Sequence, residues 1–239
     1  MFGRNEYGKR NYLNIILISI AVICLIAGAI LLLIDPIKNM RRQKVMDDMK
    51  ESIVGAGQAT FIVKSSGNEV NGEELEYYYG DEELGLDPES EYQNIVAELP
   101  DEVVLTALGT IQIPSVDIDI PLWDDATIVT LRYGAGRLSK TADPGQEGNM
   151  VVLGHRMRAE GKLFNRLGDV KLDDLIIITT IEGQTYTYKV DTIHEMVAPE
   201  DLDLYVDIDD GEGTQITLVT CTPLGVATHR LLIIGHLVE

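Results

Sequence analysis

From residue 105 onward the chain is written in short apolar runs, each closed by turn residues. They occupy residues 110–113, 116–120, 149–153, 175–179, 185–190, 215–220 and 230–234. Runs this short, rich in Val, Ile, Leu, Thr and Tyr, are strand-length rather than helix-length. Several alternate in character, as a half-buried strand does. Ile216, Leu218 and Thr220 interleave with Thr217, Val219 and Cys221. Seven or more strands with only brief helical stretches between them predict a mainly β domain, closed as a barrel or stacked as a sandwich. No internal repeat is apparent.

The first hundred residues read differently. Residues 15–34 are twenty in a row without a charge, long enough to cross a bilayer as a helix. Asp35 and Pro36 are expected to end that span. The run is too long for the core of a cleaved signal peptide, and Asp35-Pro36 is a poor small-residue cleavage site. Arg4, Lys9 and Arg10 precede the span, and Lys38, Arg41, Arg42 and Lys44 follow it. Basic residues alone therefore do not orient it. Met40, Val45, Met46, Met49 and Ile53 predict a second, weakly amphipathic helix over 37–54, interrupted by Gly55 and Gly57. Residues 58–63 fit a short strand or a helix equally well. Residues 65–98 are rich in Gly, Asn, Asp and Glu, the composition of a solvated acidic linker. The expected division is a tail at 1–14, a transmembrane helix at 15–34, a membrane-proximal helix and acidic linker or lid at 35–104, and the β domain at 105–239.

Charge narrows the partners. The net charge is -20, and residues 1–50 carry eight Lys or Arg against four Asp or Glu. The remainder therefore holds about -24 and repels nucleic acid and anionic head groups. Only the basic stretch 38–44 suits an anionic membrane surface.

The chain has two cysteines. Cys24 falls in the expected span, so Cys221 has no partner for an intramolecular disulfide outside it. A thiol without a partner is a liability in an oxidising compartment unless it is used. Cys221 ends one strand pattern; Pro223 and Gly225 break it; Arg230 then opens the next. A thiolate needs a positive neighbour to exist at neutral pH, because a free cysteine titrates at about 8.5. An arginine across a hairpin supplies that charge, or holds a carbonyl oxygen as it becomes an oxyanion.

These residues carry a resemblance. Thr217-Leu-Val-Thr-Cys221 and its continuation Thr222-Pro-Leu-Gly-Val-Ala-Thr-His-Arg230 resemble the active-site stretch of the sortases, membrane-anchored cysteine transpeptidases of Gram-positive bacteria. The continuation is most similar to class C, the pilus-building branch. Val151-Val-Leu-Gly-His155-Arg156 resembles the strand that ends in the family's catalytic histidine. Residues 108–114 and 120–123 resemble its first core strands, and residues 162–167 its short helix. The resemblance implies an eight-stranded barrel, with Cys221 as nucleophile, His155 as general acid and base, and Arg230 as oxyanion donor. Thr220 is a weaker candidate for positioning substrate. The implied partners are proteins bearing a sorting signal such as Leu-Pro-x-Thr-Gly and an amine acceptor, either a pilin lysine or a peptidoglycan precursor. The implied location is the cell membrane with the catalytic domain outside, and no cofactor or metal is expected.

Class C members often carry an Asp-Pro-aromatic lid and a second, C-terminal membrane helix. Here Asp87-Pro88 is followed by Glu89, and the chain stops at Glu239. The linker reading of 65–98 is therefore preferred to a lid. Pilin polymerisation and anchoring of surface proteins both stay open. A non-enzymatic adhesin or scaffold would tolerate Ser or Ala at 221, and a plain protease would release product to water even when amines are present. Of the other groups, Trp123 reads as packing, and His194 and His236 as structural. His229 should face away from Arg230. Arg156 and Arg158 read as solvated, as do Asp117, Asp119, Asp124 and Asp125 in preference to a calcium site.

Overall fold

The computed structural model describes residues 5–64, 100–156, 163–206 and 213–238, without the side chains of 5–11, 13, 29–39 and 42. Residues 65–98, with Asp87 and Pro88, lie outside the described residues, as does Arg158. The chain divides into two units, 1–44 and 45–239.

A single helix, α1 (Asn5–Ala56), occupies the region where two helices were expected. Asp35 and Pro36 do not end it, and Gly55 does not interrupt it. A proline removes one backbone donor, and so long a helix continues past the loss. Among the described residues no helix is long and apolar enough to cross a membrane. Only the first part of the run 15–34 is described at side-chain level.

The second unit is mainly β. Its strands are β1 (Thr60–Lys64), β2 (Glu102–Ile113), β3 (Ile118–Trp123), β4 (Ala135–Arg137), β5 (Gly148–Leu153), β6 (Leu175–Thr180), β7 (Thr185–Val197), β8 (Thr214–Thr222) and β9 (His229–Leu237). The order is β1-β2-β3-β4-β5-β8-β9-β7-β6, and β2 also pairs with β6. That last pairing closes β2 through β9 into an eight-stranded barrel, with β1 added to the free end of β2. Closure leaves the barrel strands without open edges.

Three apolar clusters follow from strand alternation. Inside the barrel, Ile111, Leu122, Met150, Val152, Ile178, Tyr188, Ile216, Leu218 and Ile233 pack together. At one end Met49 and Ile53 of α1 cover Leu105, Ala107 and Trp123. Trp123 is fully buried and meets Phe61 edge-on, so it serves packing. On the outer face Val151, Val197, Val206, Val219 and Leu232 form a third cluster, with Leu153 and Tyr205 against it. The last of these supports the site.

Candidate active site

Strands β5 and β8 run parallel and adjacent, with Leu153 opposite Val219. The ladder extends one step further, since the Gly154 amide donates to the Val219 carbonyl at 3.1 Å. Strands β8 and β9 form the antiparallel hairpin beside them, and Cys221 is the register partner of Arg230. Residues two apart on a strand share a face. Val219 and Cys221 therefore share the face of the outer cluster, as do Leu232 and Arg230. On β5, Val151 and Leu153 lie on that face, and His155 is next in line. The three candidates thus meet at the end of three neighbouring strands, above an apolar floor of Val151, Val219 and Leu232.

All three are nearly dry: Cys221 is 6% exposed, His155 7% and Arg230 7%. Buried charged groups are costly unless they are paired, so burying an arginine and a histidine beside a thiol points to a shared site. Arg230 is fixed by the hairpin loop. Its Nη1 donates to the carbonyls of Ala227 at 3.2 Å and His229 at 3.3 Å. The loop itself is folded tightly, with the amides of Val226 and Ala227 both donating to the Pro223 carbonyl at 3.0 Å.

His155 is held from behind. Its carbonyl accepts the Phe164 amide at 3.0 Å. Phe164 is fully buried, and its ring lies over Gly154, where a Cβ would come within 2.5 Å of it. Only glycine lets the ring seat there and fix the backbone just before the histidine. Thr220 is completely buried, and its hydroxyl donates to the Gly154 carbonyl at 2.6 Å. It points to the opposite face from Cys221 and braces the same glycine.

The remaining histidines have other partners. His194, the register partner of Leu232 in the floor, meets Tyr205 at a tilt of 57° with ring centroids 4.7 Å apart, and His236 pairs with Asp191 at 2.5 Å. His229 contacts Thr228 at 3.0 Å and, by alternation, faces away from Arg230. The acidic residues near β3 are engaged by cations: Asp117 by Arg166, Asp119 by Lys50 and Asp124 by Arg137. Among the described residues no group of His, Cys, Asp or Glu is placed to hold a metal.

One expectation is reversed. Arg156 is half-buried rather than solvated. Its Nη1 donates to Thr222 Oγ1 at 3.1 Å and its Nε to the Asn165 carbonyl at 3.4 Å. The 3-10 helix Asn165–Asp169 brings the second of these partners to it. Sequence reasoning misses this because both contacts depend on how the loop after β5 folds back. The one local signal is the run of polar residues Asn165 and Arg166 interleaved with buried Phe164 and Leu167.

Residues 111–238 match the family model of the sortase domain. The chain is 30% identical over 131 residues to Sortase A of Bacillus anthracis, covering 55% of this chain and 60% of that protein. It is 32% identical over 130 residues to Sortase A of Listeria monocytogenes serovar 1/2a, covering 54% and 56%. Among solved structures, Sortase C2 of Group B Streptococcus Pilus Island 1 is similar, with a TM-score of 0.51 and 35% identity over 56% of this chain and 74% of that one. The chain thus spans at most about 60% of the length of these curated relatives.

Proposed function

The chain belongs to the sortase family, and on that premise we propose that it is a cysteine transpeptidase working on a Leu-Pro-x-Thr-Gly-like sorting signal. Cys221 Sγ attacks the threonyl carbonyl carbon, forming a C–S bond. The C–N bond to the following residue breaks, and His155 gives its proton to the departing amine. An incoming amine then loses a proton to His155 and attacks the thioester. The new C–N bond forms and the thiolate leaves. Arg230 donates to the carbonyl oxygen while it carries negative charge. Thr220 acts by bracing Gly154, not by touching substrate.

The observation that carries this reading is the direct pairing of Cys221 with Arg230 in the β8–β9 register, on the face that His155 also reaches. A histidine suits both proton transfers because its ordinary pKa lies near 6.5.

We further propose that the physiological task is pilin polymerisation, with a pilin lysine as acceptor. The likeness to a sortase from a pilus island supports this, together with the Thr-Pro-x-Gly-x-x-Thr-His-Arg continuation after Cys221. Anchoring of surface proteins to a peptidoglycan precursor is the second reading, favoured by the likeness to two proteins named Sortase A. We also propose that residues 15–34 anchor the protein in the cell membrane with the barrel outside. The test of the transpeptidase reading is exchange between a fluorescent sorting-signal peptide and an amine. Cys221→Ala should abolish exchange and keep the native circular dichroism. Exchange that survives in the alanine variant contradicts the mechanism.

A further inference from the structure

Arg156 follows His155 in sequence but takes a different course. His155 continues the outer face of β5, whereas the Arg156 side chain turns along the end of β8 to Thr222, the residue after the nucleophile. Three neighbours shape its seat. Thr222 Oγ1 and the Asn165 carbonyl accept from the guanidinium at 3.1 and 3.4 Å. Gly168 supplies the space, since a Cβ there would come within 2.2 Å of Arg156 Nη2. A flexible side chain is thus held at three points, on a strand and a 3-10 helix far apart in sequence. Solvated arginines are not built in this way.

The charged groups around Cys221 are His155 from the end of β5, Arg230 from β9 and Arg156. Asp169 lies behind Arg156, and Arg166 engages both Asp169 and Asp117. Partial burial lowers the pKa of Arg156 from its ordinary value, while Asp169 and Cys221 both favour its charged form. Coupling of two ionisable groups is reciprocal: an arginine favoured by a thiolate favours that thiolate in return. The setting makes such help necessary. Residues 105–239 carry ten Lys or Arg against twenty-one Asp or Glu, a net of about -11, and that field disfavours a further anion.

We propose that Arg156 is a positioning residue that stabilises the Cys221 thiolate from the β5 side, seated on Thr222, Asn165 and Gly168, while Arg230 across the hairpin serves the substrate oxyanion. This rests on the reading of Cys221 as the nucleophile and divides the electrostatic work of that site between two arginines. A guanidinium that holds the resting thiolate does not have to leave it when the carbonyl oxygen arrives. The other arginine is already placed for that oxygen.

The experiment is the pH dependence of Cys221 alkylation by iodoacetamide, on the full-length chain in detergent with Cys24→Ser as the background. Cys24 is exposed, so its replacement leaves Cys221 as the one thiol. Removing a nearby cation raises a thiol pKa, so the midpoint should move to higher pH. Arg156→Gln should shift it up by about one unit, slowing alkylation at neutral pH roughly tenfold. Arg156→Lys keeps the charge and should shift it by less than half as much. Gly168→Ala keeps the arginine but fills its seat, and should shift the midpoint in the same direction as Arg156→Gln. A merely structural arginine would change the melting temperature and leave the midpoint in place. An unshifted midpoint in folded Arg156→Gln overturns the proposal. If that variant does not fold, an unshifted midpoint in Gly168→Ala overturns it instead. Failure of the transpeptidase reading looks different: the titration shifts as described, yet the wild type exchanges no peptide.

Discussion

Cys221 and Arg230 are nine positions apart in sequence and directly opposed in space, register partners at the loop end of the β8–β9 hairpin. The pairing is set by the ladder below it, which runs without a shift from Gln215 and His236 up to Thr222 and His229. A slip of one residue would send Cys221 and Arg230 to opposite faces. The apolar pairs Leu218–Ile233 and Val219–Leu232 forbid that slip, because it would turn the barrel core outward. The reactive geometry is therefore a consequence of the core.

Arg230→Lys keeps the charge and loses the planar fork of donors. The two carbonyl contacts of its Nη1, to Ala227 and His229, fix where the guanidinium sits. We expect peptide exchange to fall at least about tenfold, since one oxyanion donor is commonly worth 10²–10³ in rate. Steady-state kinetics with a sorting-signal peptide checks it, and wild-type rates would reassign Arg230 to structure.

His155→Asn removes the group that moves protons in both half-reactions. A loss of about 10²–10⁴ in exchange rate is expected. His194→Ala and His236→Ala serve as controls, because Asp191 engages the His236 ring and His194, opposite Leu232 beneath the site, packs on Tyr205. Both should retain exchange when matched to the wild type for folded fraction.

Gly154→Ala tests the support behind the histidine. A Cβ at this position meets the buried Phe164 ring, which has little room to move. Overpacking of this kind costs about 1–3 kcal/mol. Denaturant unfolding should show that loss. Exchange should fall further than the loss of folded protein explains, because His155 follows directly.

Tyr188→Phe gives a pH signature of the barrel. Tyr188 is fully buried, and its hydroxyl accepts the Gly145 amide at 2.8 Å. Burial raises its pKa above the ordinary 10.0, against the opposing Gly145 contact. A raised folded-state pKa means stability that is complete below pH 10 and is lost as the pH climbs through the folded value. At neutral pH the phenylalanine variant should be less stable by about 1 kcal/mol. Above pH 10 the wild type should lose stability faster than the variant, so the two unfolding curves draw together. A constant difference across that range contradicts the assignment.

Much of this was legible before any coordinates. The apolar runs over 110–113, 149–153, 175–179 and 215–220 are the cores of β2, β5, β6 and β8, because short β-branched runs bounded by turn residues form strands, and β5 and β8 are buried on both faces. The three-residue β4 was not legible. It is held by pairing with β3 and β5, and Ala135, Gly136 and Arg137 carry no pattern of their own. Val116 belongs to a 3-10 turn (Pro114–Val116) and not to the following strand, since Pro114 favours a turn and Asp117 takes a left-handed conformation. Residues 58–63 were ambiguous because a five-residue strand such as β1 is decided by its partner on β2. At the site, Cys221 and Arg230 were readable as residue types at facing strand ends, and His155 through the resemblance to the sortases. Arg156 was not, because its seat is assembled from Thr222, Asn165 and Gly168, and only the folded loop brings these together.

In the proposed mechanism Cys221 carries the acyl group between two amines. Intact-mass spectrometry of the protein after mixing with a sorting-signal peptide, followed by a chase with a primary amine, tests it most directly. The account predicts an adduct equal in mass to the peptide through its threonine, attached to Cys221 and labile to hydroxylamine. The chase should discharge it as the amide in preference to the acid. A protein whose mass never changes during peptide turnover, or an adduct that persists in Cys221→Ala, would contradict it.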